Sequence, residues 1–206
     1  VSRDFLKERL DRKKYFVWIK RKLSTSEVEK IKSFKIHGLD FIQESKRTYP
    51  NQFLAAHLLG FAGTDNQGLE GLELWYDQYL KGEYGFSQIL RDARQSELLI
   101  EKNFLPPRDG FNFVLTIDET IQYIAERALE KACEKHHAKS ATIIVMDPKT
   151  GEILALANRP TYDLMKGSAT LPENRLNRGV VSVYEPGSVF KIVTAAAALE
   201  EDLAQE

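Results

Sequence analysis

Ser188 and Lys191 stand three residues apart in Tyr184-Glu185-Pro186-Gly187-Ser188-Val189-Phe190-Lys191, just before the apolar run Ile192 to Leu199. A serine hydroxyl attacks a carbonyl once a base takes its proton, and an amine is such a base only when neutral. Burial among apolar groups or a neighbouring cation lowers a lysine from its reference pKa of about 10.4. A helix that is apolar all round belongs in a core, so the run after Lys191 predicts a buried helix entered through the Pro186-Gly187 turn. Side chains three apart share a helix face, about 5–6 Å between Cβ atoms, and N–H groups at a helix start can hold an oxyanion. The chemistry this spacing would support is acyl transfer. Ser-x-x-Lys is a common pattern, expected by chance about once in a chain of this size. A capping serine beside a snorkelling lysine would show the same spacing.

The elements ahead of this segment read as the opening of an α/β domain. Asp118 can cap a helix whose apolar face is Ile121, Ile124, Ala125, Ala128, Leu129, Ala132 and Cys133, which makes Cys133 a buried small residue. His136 and His137 close that helix at the surface. Ala141 to Met146 and Glu152 to Ala157 are β-rich runs joined by Asp147-Pro148-Lys149-Thr150-Gly151, a hairpin turn. A loop-rich stretch, Asn158 to Val183, leads to the serine segment.

The amino half is different. Ser26-Glu27-Val28-Glu29 fits a capping box, and Tyr15 to Ile19 reads as a short strand. Leu39 to Glu44 and Arg47 to Tyr49 read as extended, and a helix is expected from Asn51 to Leu59, ended by Gly60. His57 in that helix is read as packed, since no ligand stands at helical spacing from it. Gly60, Gly63, Gly68 and Gly71 require tight turns, but the Lys and Ser/Thr of a phosphate loop are missing and Glu70 and Glu73 would repel phosphate. Leu69, Leu72, Trp75, Tyr76, Tyr79 and Leu80 recur at helical spacing as core residues. Strand-like runs follow at Phe86 to Leu90, Glu97 to Ile100 and Phe111 to Thr116. The cluster Pro106, Pro107, Asp109 and Gly110 marks a domain boundary, giving domains 1–110 and 111–206.

Composition narrows the function classes. The chain has 206 residues, 43% hydrophobic and 29% charged, which is globular rather than disordered. Its net charge of −1 lacks the field of a dedicated nucleic-acid binder. Residues 1–35 carry 12 basic and 5 acidic side chains, net +7, and the remainder is net −8. A solvated face or a segment beside anionic lipid would each show this. The single cysteine excludes intramolecular disulfides and multi-cysteine metal sites. No run approaches the ~18 apolar residues of a spanning helix, and both ends read as cut, so any membrane anchor would lie outside this chain.

Glu185-Pro186-Gly187-Ser188-Val189-Phe190-Lys191 resembles the active-serine segment of class B penicillin-binding proteins, the monofunctional peptidoglycan D,D-transpeptidases. Residues 141–157, with Pro160-Thr161-Tyr162-Asp163 after them, resemble the first hairpin of the family's catalytic domain and its sequel. Arg47-Thr48-Tyr49-Pro50, Ala56-His57-Leu58-Leu59-Gly60-Phe61 and Gly68-Leu69-Glu70-Gly71-Leu72-Glu73 resemble its pedestal, or dimerisation domain. The resemblance implies an α+β pedestal followed by the truncated start of an α/β serine transpeptidase domain of the penicillin-binding/β-lactamase-like fold.

It also implies Ser188 as nucleophile, Lys191 as base, acylation by β-lactams, stem peptides of peptidoglycan as substrate, and no metal or cofactor. Implied too are an extracytoplasmic place beside a membrane anchor and a partner glycosyltransferase or division or elongation protein. Two later motifs complete the superfamily's site, Ser-x-Asn and Lys-Thr-Gly. Ser-x-Asn is missing here, and Lys149-Thr150-Gly151 precedes the serine in a turn, so the polypeptide alone is expected to be catalytically silent. The alternative is a non-catalytic interaction module that docks a cell-wall synthesis partner. A β-lactamase or β-lactam sensor would share Ser-x-x-Lys but not the pedestal motifs.

Overall fold

The computed structural model describes residues 2–11, 14, 16–87, 90–91, 97–98 and 104–203. They fall into two units, 1–52 with 59–114 and 53–58 with 115–206.

In the first unit, α1 (Arg3–Leu10) and α2 (Thr25–Ser33) are each capped by the serine that precedes them. Ser24 Oγ accepts from the Glu27 N–H, and the Glu27 carboxylate accepts from the Ser24 N–H at 2.9 Å. The box therefore begins at Ser24 rather than Ser26, because Glu27 sits at the third position of this helix. Residues 16–19 form no strand: Phe16 and Trp18 pair edge to face at 5.1 Å and Arg21 lies over the Trp18 ring. Tyr15 lies outside the described residues. The helix expected from Asn51 is confined to α3 (Ala56–Leu59), since residues 51–55 are turns with positive φ at Gln52 and Ala55.

The expected helix around Trp75 divides into α4 (Gly71–Trp75) and α5 (Asp77–Leu80). Tyr76 leaves helical geometry at the break, and Asp77 Oδ1 accepts from the Gly68 N–H at 2.7 Å, which ties the glycine-rich loop to the second helix. Trp75 is 78% exposed rather than in the core. Tyr76 and Tyr79 instead join Phe111 and Phe113 in an aromatic cluster, with 4.5 Å between the Tyr76 and Phe113 centroids. That cluster, with the Phe111 N–H bonded to Tyr79 O at 2.8 Å, holds Phe111 and Phe113 against α5 without a ladder, and residues 111–116 form none of the strand expected there. Before it, β1 (Phe86–Ser87) pairs with β4 (Phe104–Leu105), and β2 (Leu90–Arg91) with β3 (Glu97–Leu98), all antiparallel. Residues 88–89 and 99–100 of the expected strands lie outside the described residues.

A charged network closes this unit. Glu73, 8% exposed, accepts from Arg47 Nε at 2.6 Å and from the Tyr49 hydroxyl at 3.3 Å, and Tyr49 Oη accepts from the Ala62 N–H. Burial first and the Glu73 charge second push the Tyr49 phenol up to about 12, so it stays a donor throughout the physiological range.

The second unit is α6 (Glu119–His136) on the antiparallel hairpin of β5 (Ala141–Met146) and β6 (Ile153–Arg159). Asp118 Oδ1 caps α6 by accepting from the Ile121 N–H at 2.9 Å. Ala125, Leu129, Ala155 and Ala157 form the core, flanked by Ile121, Ala141, Ile143 and Val145. Ile124, Ala128 and Ala132 face solvent, and Gln122 and Glu126 take their place inside. The Gln122 amide explains the exchange. Its Oε1 accepts from the Leu156 N–H at 2.7 Å, and its Nε2 donates to Leu156 O and to Glu126 Oε1. One side chain thus satisfies both polar groups of a buried β6 residue, where apolar replacement would orphan them. Cys133 is half-buried, and His136 and His137 are exposed at the helix end.

Residues 53–58 belong to this unit through three bonds. The Ala55 N–H donates to Glu126 Oε1 at 2.8 Å, the Tyr162 hydroxyl donates to Ala56 O at 3.0 Å, and His57 Nε2 lies 3.0 Å from Asn174 O. The His57 ring, packed edge to face on Tyr162, is 7% exposed, as a packed histidine should be. Burial is the main cause that holds its pKa below the ordinary 6.5, opposed by the Asn174 and Pro160 carbonyls and aided by Arg178 and Arg159. The unfolded chain then takes up a proton near pH 6.5 that the folded one resists, so stability is full above that pH and lost on acidification below it. Thermal melts should fall from pH 7 to pH 5, and His57→Phe should flatten that slope. An unchanged slope in the variant would assign it to other groups.

Candidate active site

After the β6 strand a 3-10 turn (Leu164–Ala169), α7 (Pro172–Arg175) and α8 (Arg178–Val181) return the chain to the hairpin. Asn158, 2% exposed on β6, fixes that return. Its Oδ1 accepts from Thr142 Oγ1 across the ladder at 2.8 Å and from the Gly179 N–H of α8 at 3.1 Å. Its Nδ2 donates to Asn177 Oδ1 at 3.1 Å. A Cβ added at Gly179 would stand 3.1 Å from Thr142 Cγ2, so α8 lies close on the sheet.

Residues 182–186 carry no helix or strand, and the chain then turns at Gly187, φ +54°, into a 3-10 turn over Gly187–Phe190 that runs straight into α9 (Lys191–Glu200). Val189 N–H bonds Pro186 O, and the Lys191 N–H reaches Ser188 O and Val189 O. In 3-10 geometry residues three apart eclipse one another, so the backbone sets Ser188 and Lys191 one above the other on one side. Among the described residues neither the Ser188 hydroxyl nor the Lys191 ammonium has a hydrogen-bond or ion-pair partner, and both residues are exposed.

The burial expected for α9 is not found. Val189, Phe190, Ile192 and Val193 are all more than half exposed, and α9 has no buried residue. The physical reason is that no element among the described residues packs over its apolar faces. Lys191, at the first position of α9, is exposed with them. Lys149, Thr150 and Gly151 lie exposed in the β5–β6 turn, with Gly151 at φ +77° and the Lys149 N–H bonded to Asp147 Oδ1. No cluster of metal-ligating side chains occurs among the described residues, and none of their helices is long and apolar enough to cross a membrane. Sequence reasoning missed Asn158 and Asn177. The available signal was a lone amide at the end of the apolar run Ile153 to Ala157.

Residues 2–115 match the family described as the penicillin-binding protein dimerisation domain, and residues 141–206 match the penicillin binding protein transpeptidase domain. The chain is 44% identical over 184 residues to stage V sporulation protein D of Bacillus subtilis, covering 88% of this chain and 28% of that protein. It is 34% identical over 191 residues to the peptidoglycan D,D-transpeptidase FtsI of Escherichia coli K12, covering 93% of this chain and 32% of that one. Among solved structures, penicillin binding protein 3 of Mycobacterium tuberculosis in complex with aztreonam aligns with a TM-score of 0.65 at 34% identity, over 78% of this chain and 32% of that one. The chain thus spans about a third of the length of these relatives. With both of its parts matched in order, the chain belongs to the class B penicillin-binding proteins, carrying their amino-terminal dimerisation domain and part of their transpeptidase domain.

Proposed function

We propose that this chain is the pedestal, residues 1–110, and the opening of the catalytic domain, residues 111–206, of a peptidoglycan D,D-transpeptidase. The observation that carries the reading is the Ser188-Lys191 pair, aligned on one turn at the start of α9. Neutral Lys191 takes the Ser188 proton as Oγ attacks the penultimate D-alanine carbonyl of a stem peptide. The Ser188 N–H, at the start of the turn and outside its backbone bonds, steadies the oxyanion. The C–N bond breaks and the proton passes from Lys191 to the departing D-alanine amine; an amine of a neighbouring stem then attacks the acyl carbon, its proton returns through Lys191 to Ser188 Oγ, and the ester C–O bond breaks to free the serine. A β-lactam acylates the same oxygen. No metal or cofactor enters.

The protein acts outside the cytoplasmic membrane, held there by an anchor, with a membrane glycosyltransferase or a division or elongation protein as partner. The net charge of +7 in residues 1–35 suits a place beside the membrane. Tandem mass spectrometry of the full-length protein after exposure to a penicillin tests the reading. The adduct is expected on the peptide that contains Ser188, and an adduct on any other serine would overturn it.

A further inference from the structure

Asn158 does something a strand residue in an alanine-rich core has no need to do. Its buried amide joins three elements: β6, which carries it, β5 through Thr142, and α8 through Gly179 and Asn177. The orientation of that amide is fixed, because the Gly179 N–H can only donate and so must face Oδ1. Both lone pairs of Oδ1 and one N–H of Nδ2 are then in use. Asn177 contributes in an unusual way. It stands at the N-cap of α8, where its oxygen would ordinarily accept from the helix's own N–H groups, yet it makes no such bond and turns to Asn158 instead. The close approach of Gly179 to Thr142 and Ile144 shows α8 pressed on the sheet at this point.

The consequence lies further along the chain. Between Ser182, whose N–H closes α8 on Arg178 O, and Val189, bonded to Pro186 O, no backbone hydrogen bond holds the intervening residues among those described. Among the described residues the Asn158 clamp at Gly179 is thus the last hydrogen bond to the hairpin before the serine turn. We infer that Asn158 is a positioning residue for acyl transfer: with Thr142 and Asn177 it sets the register of α8 on the hairpin, and so the point from which the chain enters the Ser188 turn. The inference rests on the transpeptidase reading above.

The test is the acylation kinetics of the full-length protein with a fluorescent penicillin, separating the binding constant K from the acylation rate k2. Asn158→Ala should lower k2 at least tenfold while K changes less than threefold, because the ligand contacts are elsewhere; a smaller fall in k2 overturns the inference. Asn158→Asp keeps both acceptor bonds at Oδ1, and the Asn177 amide can turn its Nδ2 towards the second oxygen. Its k2 should therefore stay closer to that of the parent protein than the k2 of Asn158→Ala, a rescue that a merely structural loss would not give, and a k2 no better than that of Asn158→Ala counts against the clamp. If Asn158→Ala does not fold, Asn177→Ala decides, since it leaves both bonds to Asn158 Oδ1 in place: a threefold or larger fall in k2 supports the inference and a smaller one overturns it. Ser188→Ala run alongside keeps the two readings apart. Labelling that survives Ser188→Ala sinks the transpeptidase assignment, whereas its loss together with an unmoved k2 in the Asn158 variants sinks this inference alone.

Discussion

Ser188→Ala in the full-length protein is expected to abolish covalent labelling by a fluorescent penicillin, and Lys191→Ala to slow it by about 10²–10⁴, the usual contribution of a general base. The first follows from connectivity, since the acyl bond is made to Oγ and no other serine occupies this turn. The second follows from the 3-10 geometry that sets Lys191 above Ser188, with no carboxylate or histidine paired to either side chain among the described residues. Lys191→Arg should not rescue, because guanidinium does not give up its proton in proteins. The chain of 206 residues should label little on its own, since its α9 and Lys191 are exposed. Labelling that survives Ser188→Ala, or a Lys191→Ala variant at the parental rate, would remove the site.

The carboxyl half was legible where its signals are local. Asp118 caps α6, Asp147 to Gly151 close the hairpin, and the Pro186-Gly187 pair turns the chain into the serine segment, each through a contact within a few residues. The inner face of α6 was not legible, because apolar residues alone were used to choose it. Gln122 and Glu126 stand at positions that complete a stripe with Ala125 and Leu129, and they are admitted only because Leu156 and Ala55 supply backbone partners 34 and 71 residues away. Distant partners leave no local trace. The same reason hid the assignment of residues 53–58 to the second unit, which depends on Glu126, Tyr162 and Asn174.

The serine site shows a different limit. Its spacing and turn are written in seven consecutive residues, so the pair could be picked out from Ser-x-x-Lys and its surroundings. The environment of Lys191 is a property of whatever packs on α9, and apolarity in a sequence states a demand for cover without supplying it. In the amino half, Phe111 and Phe113 had the composition of a strand yet serve an aromatic cluster with Tyr76 and Tyr79, whose packing outweighs strand propensity there.

Gly60→Ala should be the most damaging single change in the pedestal. Gly60 has φ +69°, where an alanine costs about 1–2 kcal/mol. A Cβ there would also lie 1.8 Å from Glu70 O and 2.2 Å from Glu70 C, both backbone atoms that no side-chain rotation can move aside. The collision falls where the three pedestal motifs meet. Leu69 N–H bonds Phe61 O, Ala62 bridges Gly68, and Glu73 lies beneath Arg47 and Tyr49. Relieving it means separating the segments on either side of the glycine-rich loop, which breaks the bonds that satisfy buried Glu73. The expected loss is at least about 4 kcal/mol, the range reserved for backbone strain and broken buried networks, against the ~5–15 kcal/mol that holds a typical domain together. Gly151→Ala is the control: its φ of +77° carries a similar conformational cost, but nothing lies within 4 Å of the added Cβ. In urea titrations followed by far-UV circular dichroism, Gly60→Ala should lose several times the stability that Gly151→Ala loses. Equal losses in the two variants would mean that the close approach of Glu70 to Gly60 does not hold the pedestal together.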